Sequence, residues 1–235
     1  MATVLIDLDG TLIPRGSWSS TFADVCRQIA GAAGTSAESV CARAMAISAE
    51  LLRALDWRAF DWQEVFNRTA RELGAGGAPD VLEALSRHLH EFTLNEGAVE
   101  AVTALKAGGY RVEVATNGHA RYQLPVLRHL GIYSLVDGVR TSDAHRCPKT
   151  CAEFFRGADV IIGDNPAFDV YFPKRFGLLA VFYGDWEREA RAYLSRLGLK
   201  LSDVTPDATV RSLREAPRVV SELLRRRERP AGLPR

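Results

Sequence analysis

The sequence predicts a three-layer α/β fold, in which a parallel sheet lies between helices and carries an inserted all-helical domain. Three observations lead to this prediction. A short apolar run at the N-terminus stops at acidic residues, a long stretch after it has apolar residues at helical spacing, and the rest of the 235-residue chain alternates between helix and strand patterns. Strands that alternate with helices typically form a parallel sheet covered on both faces.

The first element is a strand over residues 3–6, where β-branched and apolar residues follow one another. Asp7 ends this run, and Asp9 follows two residues later. A buried strand that stops at acidic residues is typical of a strand leading into a functional loop. Its place at the N-terminus indicates a central strand of the sheet.

The next segment contains four amphipathic helices and no clear strand pattern. We expect these helices at about 19–30, from near 36 to 55, at about 61–73 and around 81–89. Gly74 and Pro79 are among the residues that separate them. A block of this size is small for an independent domain. We therefore expect residues 16–94 to be a helical insertion in a core of residues 1–15 and 95–235.

After Gly97 helices and strands alternate. Expected helices cover about 98–107, 121–130, a short segment after Lys149, 169–176 and 187–197. Expected strands cover 111–115, 135–139, 159–162, 178–182 and 208–210. In sheets of this kind the binding site lies at the carboxyl ends of the strands.

Composition and charge argue against several classes of protein. The chain has 30 Lys and Arg residues against 29 Asp and Glu residues, a net charge of +1, so no overall field attracts nucleic acid or an acidic membrane surface. No run approaches the roughly 18 apolar residues of a membrane span, and the N-terminus has no basic region typical of a signal peptide. We interpret the basic run at 225–229 as the end of a helix.

The four cysteines, Cys26, Cys41, Cys147 and Cys151, include no CxxC pair. We interpret them as small packing residues of a protein in a reducing, cytoplasmic setting. A zinc site at Cys147 and Cys151 would need two more ligands, and only His145 is close in sequence.

Three of the predicted strands end in polar residues, which are Asp7-Leu8-Asp9, Thr116-Asn117-Gly118 and Gly163-Asp164-Asn165. Because the carboxyl ends of parallel strands share one edge, Asp7, Asp9, Asp164 and Asp169 would crowd one cleft. Carboxylates at short range repel one another unless a cation lies between them. Oxygen ligands that share a metal with a phosphate favour Mg²⁺. The arrangement suits phosphoryl transfer, which depends on positioning and on neutralising charge.

These residues resemble the motifs of the haloacid dehalogenase superfamily. The matches are Asp7-Leu8-Asp9-Gly10-Thr11-Leu12 for its DxDGTL motif, Thr116-Asn117-Gly118 for its Ser/Thr motif, Lys149 for its lysine motif, and Gly163-Asp164-Asn165-Pro166-Ala167-Phe168-Asp169 for its acidic motif. The resemblance implies a Rossmann-like catalytic core and, at residues 16–94, a helical cap of the C1 type that closes over the site.

The resemblance also implies a role for each motif residue. Asp7 would be the nucleophile that forms an aspartyl-phosphate, and Asp9 the general acid and base; Thr116 and Lys149 complete the catalytic set. The phosphate-binding residues would be Asp7, Gly10, Thr116, Asn117 and Lys149. The Mg²⁺ ligands would be Asp7, the backbone carbonyl of Asp9, and Asp164, with Asp169 supporting them.

Two assignments stay open at this point. Arg146 and Lys174 compete with Lys149 for the role of the family's lysine. Five residues of the helical segment are candidates to face the cleft, although core packing or solvation is the alternative for each: Arg15, Trp18, Arg53, Trp57 and Trp62. The residues at 13–17 also depart from the Asp-Ser pair that common C1 members have after the first motif, which weakens the resemblance to the phosphoglucomutase-like branch.

The expected function is removal of phosphate from a small phosphorylated metabolite by a Mg²⁺-dependent phosphatase. Asp9 favours this over a dehalogenase, because a halide leaving group needs no acid. A catalytically idle binding or regulatory protein on the same scaffold is the alternative outside enzymes. We expect a cytoplasmic monomer or homodimer with a small phosphate ester as partner and with neither nucleic acid nor membrane.

Overall fold

The computed structural model describes residues 1–195 and 204–228. Six parallel strands form one sheet in the order β3-β2-β1-β4-β5-β6. The strands are β1 (Thr3–Ile6), β2 (Arg111–Ala115), β3 (Gly138–Arg140), β4 (Val160–Gly163), β5 (Leu179–Tyr183) and β6 (Ala208–Val210). Because β1 pairs with β2 on one side and β4 on the other, the N-terminal strand is interior, as predicted.

A helical insertion follows β1. Its helices are α1 (Ser19–Ala33), α2 (Ala37–Arg53), α3 (Trp62–Glu72) and α4 (Val81–His88), with a 3₁₀ turn at Trp57–Phe60. Ser36, Asp61 and Asp80 start α2, α3 and α4, because their side chains accept hydrogen bonds from backbone N–H groups of the first turn. The apolar faces of these helices pack against one another as a separate core, which includes Val40 and Phe66.

The remaining helices cover the sheet. They are α5 (Ala98–Ala107), α6 (Ala120–His129), α7 (Ser142–His145), α8 (Ala152–Phe155), α9 (Phe172–Arg175), α10 (Trp186–Ser195) and α11 (Ala216–Glu228). Side chains of β1 alternate between two apolar clusters: Val4 and Ile6 belong to one and Leu5 to the other. The sheet is therefore buried on both faces, which confirms the three-layer α/β prediction. Within residues 1–195 and 204–228, no helix combines the length and apolar character needed to cross a membrane.

Two predicted elements differ from the observed ones, and a third is described only in part. The strand expected at 135–139 is shorter and lies at Gly138–Arg140, because a 3₁₀ turn precedes it at Ile132–Ser134. The helix expected at 169–176 begins earlier, as a π-helical turn at Pro166–Tyr171 followed by α9. The end of the helix expected at 187–197 lies outside the described residues.

The expectation that the cysteines are reduced is wrong for one pair. Cys26 and Cys41 form a disulfide between α1 and α2, with Cα atoms 5.7 Å apart. Cys147 and Cys151 lie close together on either side of Lys149, with Cα atoms 6.4 Å apart. The antiparallel packing of α1 on α2 brings the first pair together across 15 residues of sequence, which no spacing motif reveals.

Candidate active site

The carboxyl ends of β1, β2 and β4 meet at one edge of the sheet, where the first polar residue after each strand is held by the sheet itself. Asp7 N–H donates to the Ile162 carbonyl at 2.9 Å, and Thr116 N–H donates to the Arg140 carbonyl at 3.0 Å. These bonds extend the backbone hydrogen bonding of the sheet one residue beyond β1 and β2. Backbone pairing therefore places both side chains at the same edge.

Three carboxylates form a buried cluster there. Oxygens of Asp7, Asp164 and Asp169 lie within 4.8 Å of one another, and the three residues are 6%, 6% and 0% exposed. Two glycines make room for them. A Cβ on Gly163 would lie 2.2 Å from Asp169 Cγ, and one on Gly10 would lie 2.3 Å from Asp164 Oδ2. Gly10 also has a φ of 98°, a conformation that favours glycine.

Lys149 lies beside this cluster and is 1% exposed. Its Nζ contacts Asp7 Oδ1 at 2.5 Å and Asp169 Oδ1 at 2.7 Å. The loop that carries it is tied to the end of β2, because its backbone N–H donates to Asn117 Oδ1 at 2.7 Å. Lys149, the third motif, thus contacts residues of the first, second and fourth motifs.

The two rivals of Lys149 lie elsewhere. Arg146 is exposed at the end of α7, and Lys174 pairs with Asp207 at 2.7 Å. Of the three cations, only Lys149 contacts the acidic cluster, so the geometry favours it as the lysine of the site.

Burial of these charges changes their proton affinities. Burial first, and the charge of Asp7 second, raise the pKa of Asp164 to about 6. Burial likewise raises the pKa of Asp169 to about 7, against the opposing charge of Lys149. Burial also opposes the charge of Lys149, but the carboxylates of Asp169 and Asp7 outweigh it and raise the lysine's pKa. A compact set of oxygen donors, costly to ionise together, fits a hard divalent cation such as Mg²⁺.

Asp9 is only two residues from Asp7, but its carboxyl group has different partners. Oδ1 accepts a hydrogen bond from Trp18 Nε1 at 2.7 Å, and Oδ2 accepts from Gln123 Nε2 at 3.0 Å and Thr116 Oγ1 at 3.2 Å. Burial first, and the charge of Asp7 second, raise the pKa of Asp9 to about 6, while the bonds from Trp18 and Thr116 act in the opposite direction. A carboxyl group with such a pKa can hold and release a proton near neutral pH.

Gln123 was not predicted from the sequence. It is 3% exposed and lies on the first turn of α6, directly after the polar end of β2. A Cβ on Gly118 would lie 2.0 Å from Gln123 Nε2, so glycine at 118 leaves space for this amide. The signal that the sequence offered was a polar residue on the otherwise apolar face of this helix. Thr11, within the first motif, also contacts the cluster through Asp164 Oδ1 at 3.3 Å.

Arg15 contacts the site from the loop before α1. Its Nε forms an ion pair with the carboxylate of Asp164, and its Nη2 lies 2.5 Å from Glu189 Oε2. The side chain of Arg15 is 58% exposed. The guanidinium therefore supplies positive charge beside a predicted metal ligand, with one face in solvent.

A cavity of about 250 Å³ opens over Asp7, Asp9, Thr116 and Lys149. Of the candidate residues in the insertion, Trp18 and Trp62 line this cavity. Trp57 instead packs against the ring of His119, with centroids 5.1 Å apart. Arg53 is exposed in the last turn of α2 and is not part of the lining.

Comparisons with known proteins place the chain in a family. A family model for haloacid dehalogenase-like hydrolases matches residues 1–158, whereas no curated protein matches the sequence. Among solved structures, a HAD phosphatase from Thermococcus onnurineus is 23% identical, with a TM-score of 0.70, covering 94% of this chain and 98% of that one.

Two further structures have the same fold. An L-2-haloacid dehalogenase from Xanthobacter autotrophicus is 22% identical, with a TM-score of 0.62, over 94% of this chain and 99% of its own. The putative HAD-hydrolase YfnB from Bacillus subtilis, bound to magnesium, is 19% identical, with a TM-score of 0.61, over 94% and 98%. The family model and the shared fold lead to one conclusion: the chain belongs to the haloacid dehalogenase-like hydrolases.

Proposed function

We propose that this hydrolase is a Mg²⁺-dependent phosphatase that removes phosphate from a small phosphorylated metabolite through an aspartyl-phosphate. The observation that carries the proposal is the carboxyl group of Asp9, which lies beside the nucleophile with three hydrogen-bond donors. An alkoxide leaving group needs a proton, and a halide does not. Asp9 therefore supports phosphate ester hydrolysis over the carbon–halide hydrolysis of the dehalogenases in the same fold.

In the proposed first step, an oxygen of Asp7 attacks phosphorus. The bond between phosphorus and the ester oxygen breaks, and the proton of Asp9 passes to that oxygen. In the second step Asp9 accepts a proton from water as the water oxygen attacks phosphorus, which releases Asp7 and phosphate. The raised pKa of Asp9, about 6, suits a group that must hold a proton in one step and accept one in the next.

The residues proposed to hold the phosphoryl oxygens are Gly10, Thr116, Asn117 and Lys149, around the attacking Asp7. Lys149 Nζ, 2.5 Å from Asp7 Oδ1, supplies positive charge next to the oxygen that attacks. Thr116 Oγ1 lies between Asp9 Oδ2 and the N–H of Gly118, which donates to it at 3.0 Å. Fixed donors of this kind stabilise the charge that develops on the transferred group.

Asp7, Asp164 and the backbone carbonyl of Asp9 are the residues we propose to hold Mg²⁺, with Asp169 supporting them through Lys149. The ion would neutralise charge on the phosphoryl oxygens and on the carboxylates around it. In the structure the Arg15 guanidinium contacts Asp164, and this contact would loosen when a cation joins the same carboxylate.

We further propose that residues 16–94 act as a cap over a core of residues 1–15 and 95–235. Two contacts support this. Trp18 reaches Asp9 from the start of the insertion, and Trp62 lines the cavity from α3. A lid of this kind excludes water from the reacting groups and contributes to substrate selection.

The experiment that tests the function is phosphate release from a panel of phosphorylated metabolites, with Mg²⁺ and with a chelator. We expect metal-dependent release that falls at least about 10³-fold in Asp7→Asn, because an amide cannot act as the nucleophile. Asp80→Asn, at the exposed start of α4, is the matched control and should keep wild-type turnover.

Two other results would oppose the proposal. Halide release from 2-chloropropionate without phosphate release would favour the dehalogenase, and no turnover of any compound would favour a binding or regulatory protein. Near wild-type phosphate release by Asp7→Asn would remove Asp7 from the nucleophile's role.

We also propose a cytoplasmic location and a monomeric or homodimeric state. A cytoplasmic location rests on the sequence, and the Cys26–Cys41 disulfide weighs against it because disulfides are rare in reducing compartments. Alkylation of free thiols in the protein's own cells before lysis decides this point: alkylated Cys26 and Cys41 support the cytoplasm, and a retained disulfide opposes it. Light scattering distinguishes the proposed monomer from the proposed homodimer.

A further inference from the structure

The cavity above Asp7 and Asp9 is walled mainly by aromatic side chains. They come from the loop before α1, from α1, from the 3₁₀ turn before α3, from α3 and from the turn after β4, and they are Trp18, Phe22, Phe60, Trp62 and Phe168. All five are half-buried, so each presents part of its ring to the open space.

These rings contact one another in two groups. Phe22 lies between Trp18 and Trp62, with ring centroids 5.9 and 4.4 Å away. Phe60 of the insertion meets Phe168 of the core edge to face, with centroids 6.3 Å apart. Packing of this kind fixes the rings, and fixed rings form a defined apolar surface for a ligand.

Several polar atoms of the cavity lining already have partners. Asn165 Oδ1 accepts from the N–H groups of Ala167 and Phe168, and Gln123 Nε2 donates to Asp9. Apart from Lys149, which contacts two aspartates, the described residues that line the cavity include no cation. A second phosphate or a carboxylate would therefore lose water there without gaining a cation to pair with.

A larger cavity next to it does not change this conclusion. It measures about 460 Å³ and has a charged lining that includes Arg15, Arg188 and Glu189. It shares Gly10 and Asp164 with the site, but Asp7, Asp9, Thr116 and Lys149 line only the aromatic cavity. The reacting groups thus face the apolar space.

We propose that the substrate is a phosphate monoester of a compact, uncharged, apolar alcohol, preferably with an aromatic ring. This inference rests on the proposed phosphatase function and names the substrate class for that site. The phosphoryl group lies at Asp7 and Lys149, and the leaving alcohol lies against the five rings. The cavity of about 250 Å³ has to accept both parts, which favours a compact ester over a nucleotide or a larger sugar phosphate.

The test compares benzyl phosphate with glycerol phosphate and glucose phosphate. All three can release a primary alcohol, so leaving-group reactivity is similar and the comparison reports on the pocket. We expect kcat/KM for benzyl phosphate to exceed that for the two polar esters at least about 10-fold, since apolar pockets discriminate by about this factor or more.

The variant Phe60→Ala tests the aromatic lining of the cavity directly, because Phe60 has no proposed part in the chemistry. It should raise KM for benzyl phosphate about 10-fold, with little change in kcat, and change kcat/KM for glycerol phosphate less than about threefold. Phe168→Leu serves as a second variant that keeps an apolar side chain while removing the ring. Phe176→Ala is the matched control, since Phe176 is 37% exposed and outside the cavity.

The outcomes separate the two proposals. Asp7-dependent release that is equal or faster with the polar esters overturns the substrate class while the phosphatase stands. No Asp7-dependent release from any ester overturns the phosphatase itself. Equal losses for benzyl and glycerol phosphate in Phe60→Ala and Phe168→Leu, with unchanged folding by circular dichroism, would also reject an apolar leaving-group pocket.

Discussion

At Asp9, burial and hydrogen bonding act in opposite directions on one carboxyl group. Three donors hold its oxygens, which favours the charged form, yet burial and the neighbouring charge of Asp7 raise its pKa to about 6. Asp7 lies two residues away and contacts the ammonium of Lys149 instead. Different surroundings thus suit the two carboxyl groups to different proposed roles, one as nucleophile and the other as acid and base.

The raised pKa of Asp9 predicts a pH-dependent cost to stability. Between the unfolded pKa, near 3.9, and the folded pKa of about 6, the folded protein binds more protons than the unfolded chain. The cost to stability is therefore absent at low pH and grows as the pH rises through this range. Asp9→Asn lacks this titration. We expect its free energy of unfolding, relative to that of wild type, to increase by about 2 kcal/mol from pH 4 to pH 8.

Urea unfolding at several pH values, with a chelator present, measures this difference. Asp80→Asn, at an exposed helix start, is the control for the loss of a carboxyl group. A difference between Asp9→Asn and wild type that stays constant from pH 4 to pH 8 would contradict the shifted pKa.

Single turns and helix pairs set the positions of these residues. The turn at Pro166–Tyr171 begins where Asn165 Oδ1 accepts from backbone N–H groups, and Asp169 Oδ2 accepts from Asn165 N–H at 2.9 Å. This reciprocal arrangement resembles a capping box. It leaves Asp169 Oδ1 directed at Lys149, so the geometry of one turn determines the partner of the lysine.

The pairing of α1 with α2 predicts a stability effect of the Cys26–Cys41 disulfide. Its loop spans 15 residues, and closing a loop of that length in the unfolded chain stabilises the folded state by about 3 kcal/mol. We expect Cys41→Ser to lower the free energy of unfolding by about this amount. Denaturant unfolding without reductant measures it.

Reductant provides the control for this prediction. Wild type in dithiothreitol should unfold at the same denaturant concentration as Cys41→Ser, because reduction removes the same cross-link. If wild type and Cys41→Ser unfold at the same denaturant concentration without reductant, the disulfide contributes nothing to stability.

At the scale of the whole molecule, the proposed metal site would couple folding of the core to cation binding. Three buried carboxylates are opposed by Lys149 and Arg15, and folding is needed to bring them together, because they come from the ends of β1 and β4 and from the turn at Pro166–Tyr171. A ligand that binds only the folded state stabilises it by mass action.

We therefore expect Mg²⁺ to raise the melting temperature. At 100 times its dissociation constant, Mg²⁺ should add about 2.7 kcal/mol to the free energy of unfolding. Asp164→Asn should lose most of this shift, whereas Asp80→Asn should keep it. Differential scanning calorimetry with and without Mg²⁺ measures the effect, and an equal shift in Asp164→Asn and wild type would remove Asp164 from the proposed metal site.

The sequence by itself determined the fold class and the edge of the sheet on which the motif residues meet. Hydrophobic periodicity is a local property, so it revealed strands and helices directly, and the parallel arrangement then required the carboxyl ends of β1, β2 and β4 to share one edge. Asp7, Asp9, Thr116 and Asp164 follow from that rule without knowledge of any side-chain contact.

Only the tertiary structure decided which side chains meet there. Gln123 contacts Asp9 across 114 positions of sequence, and Lys149 contacts Asp7 across 142. The choice of Lys149 over Arg146 and the pairing of two cysteines were equally invisible in the sequence. Contacts of this kind depend on how helices and loops pack over the sheet, and packing arises from the shape of the whole chain rather than from any local pattern.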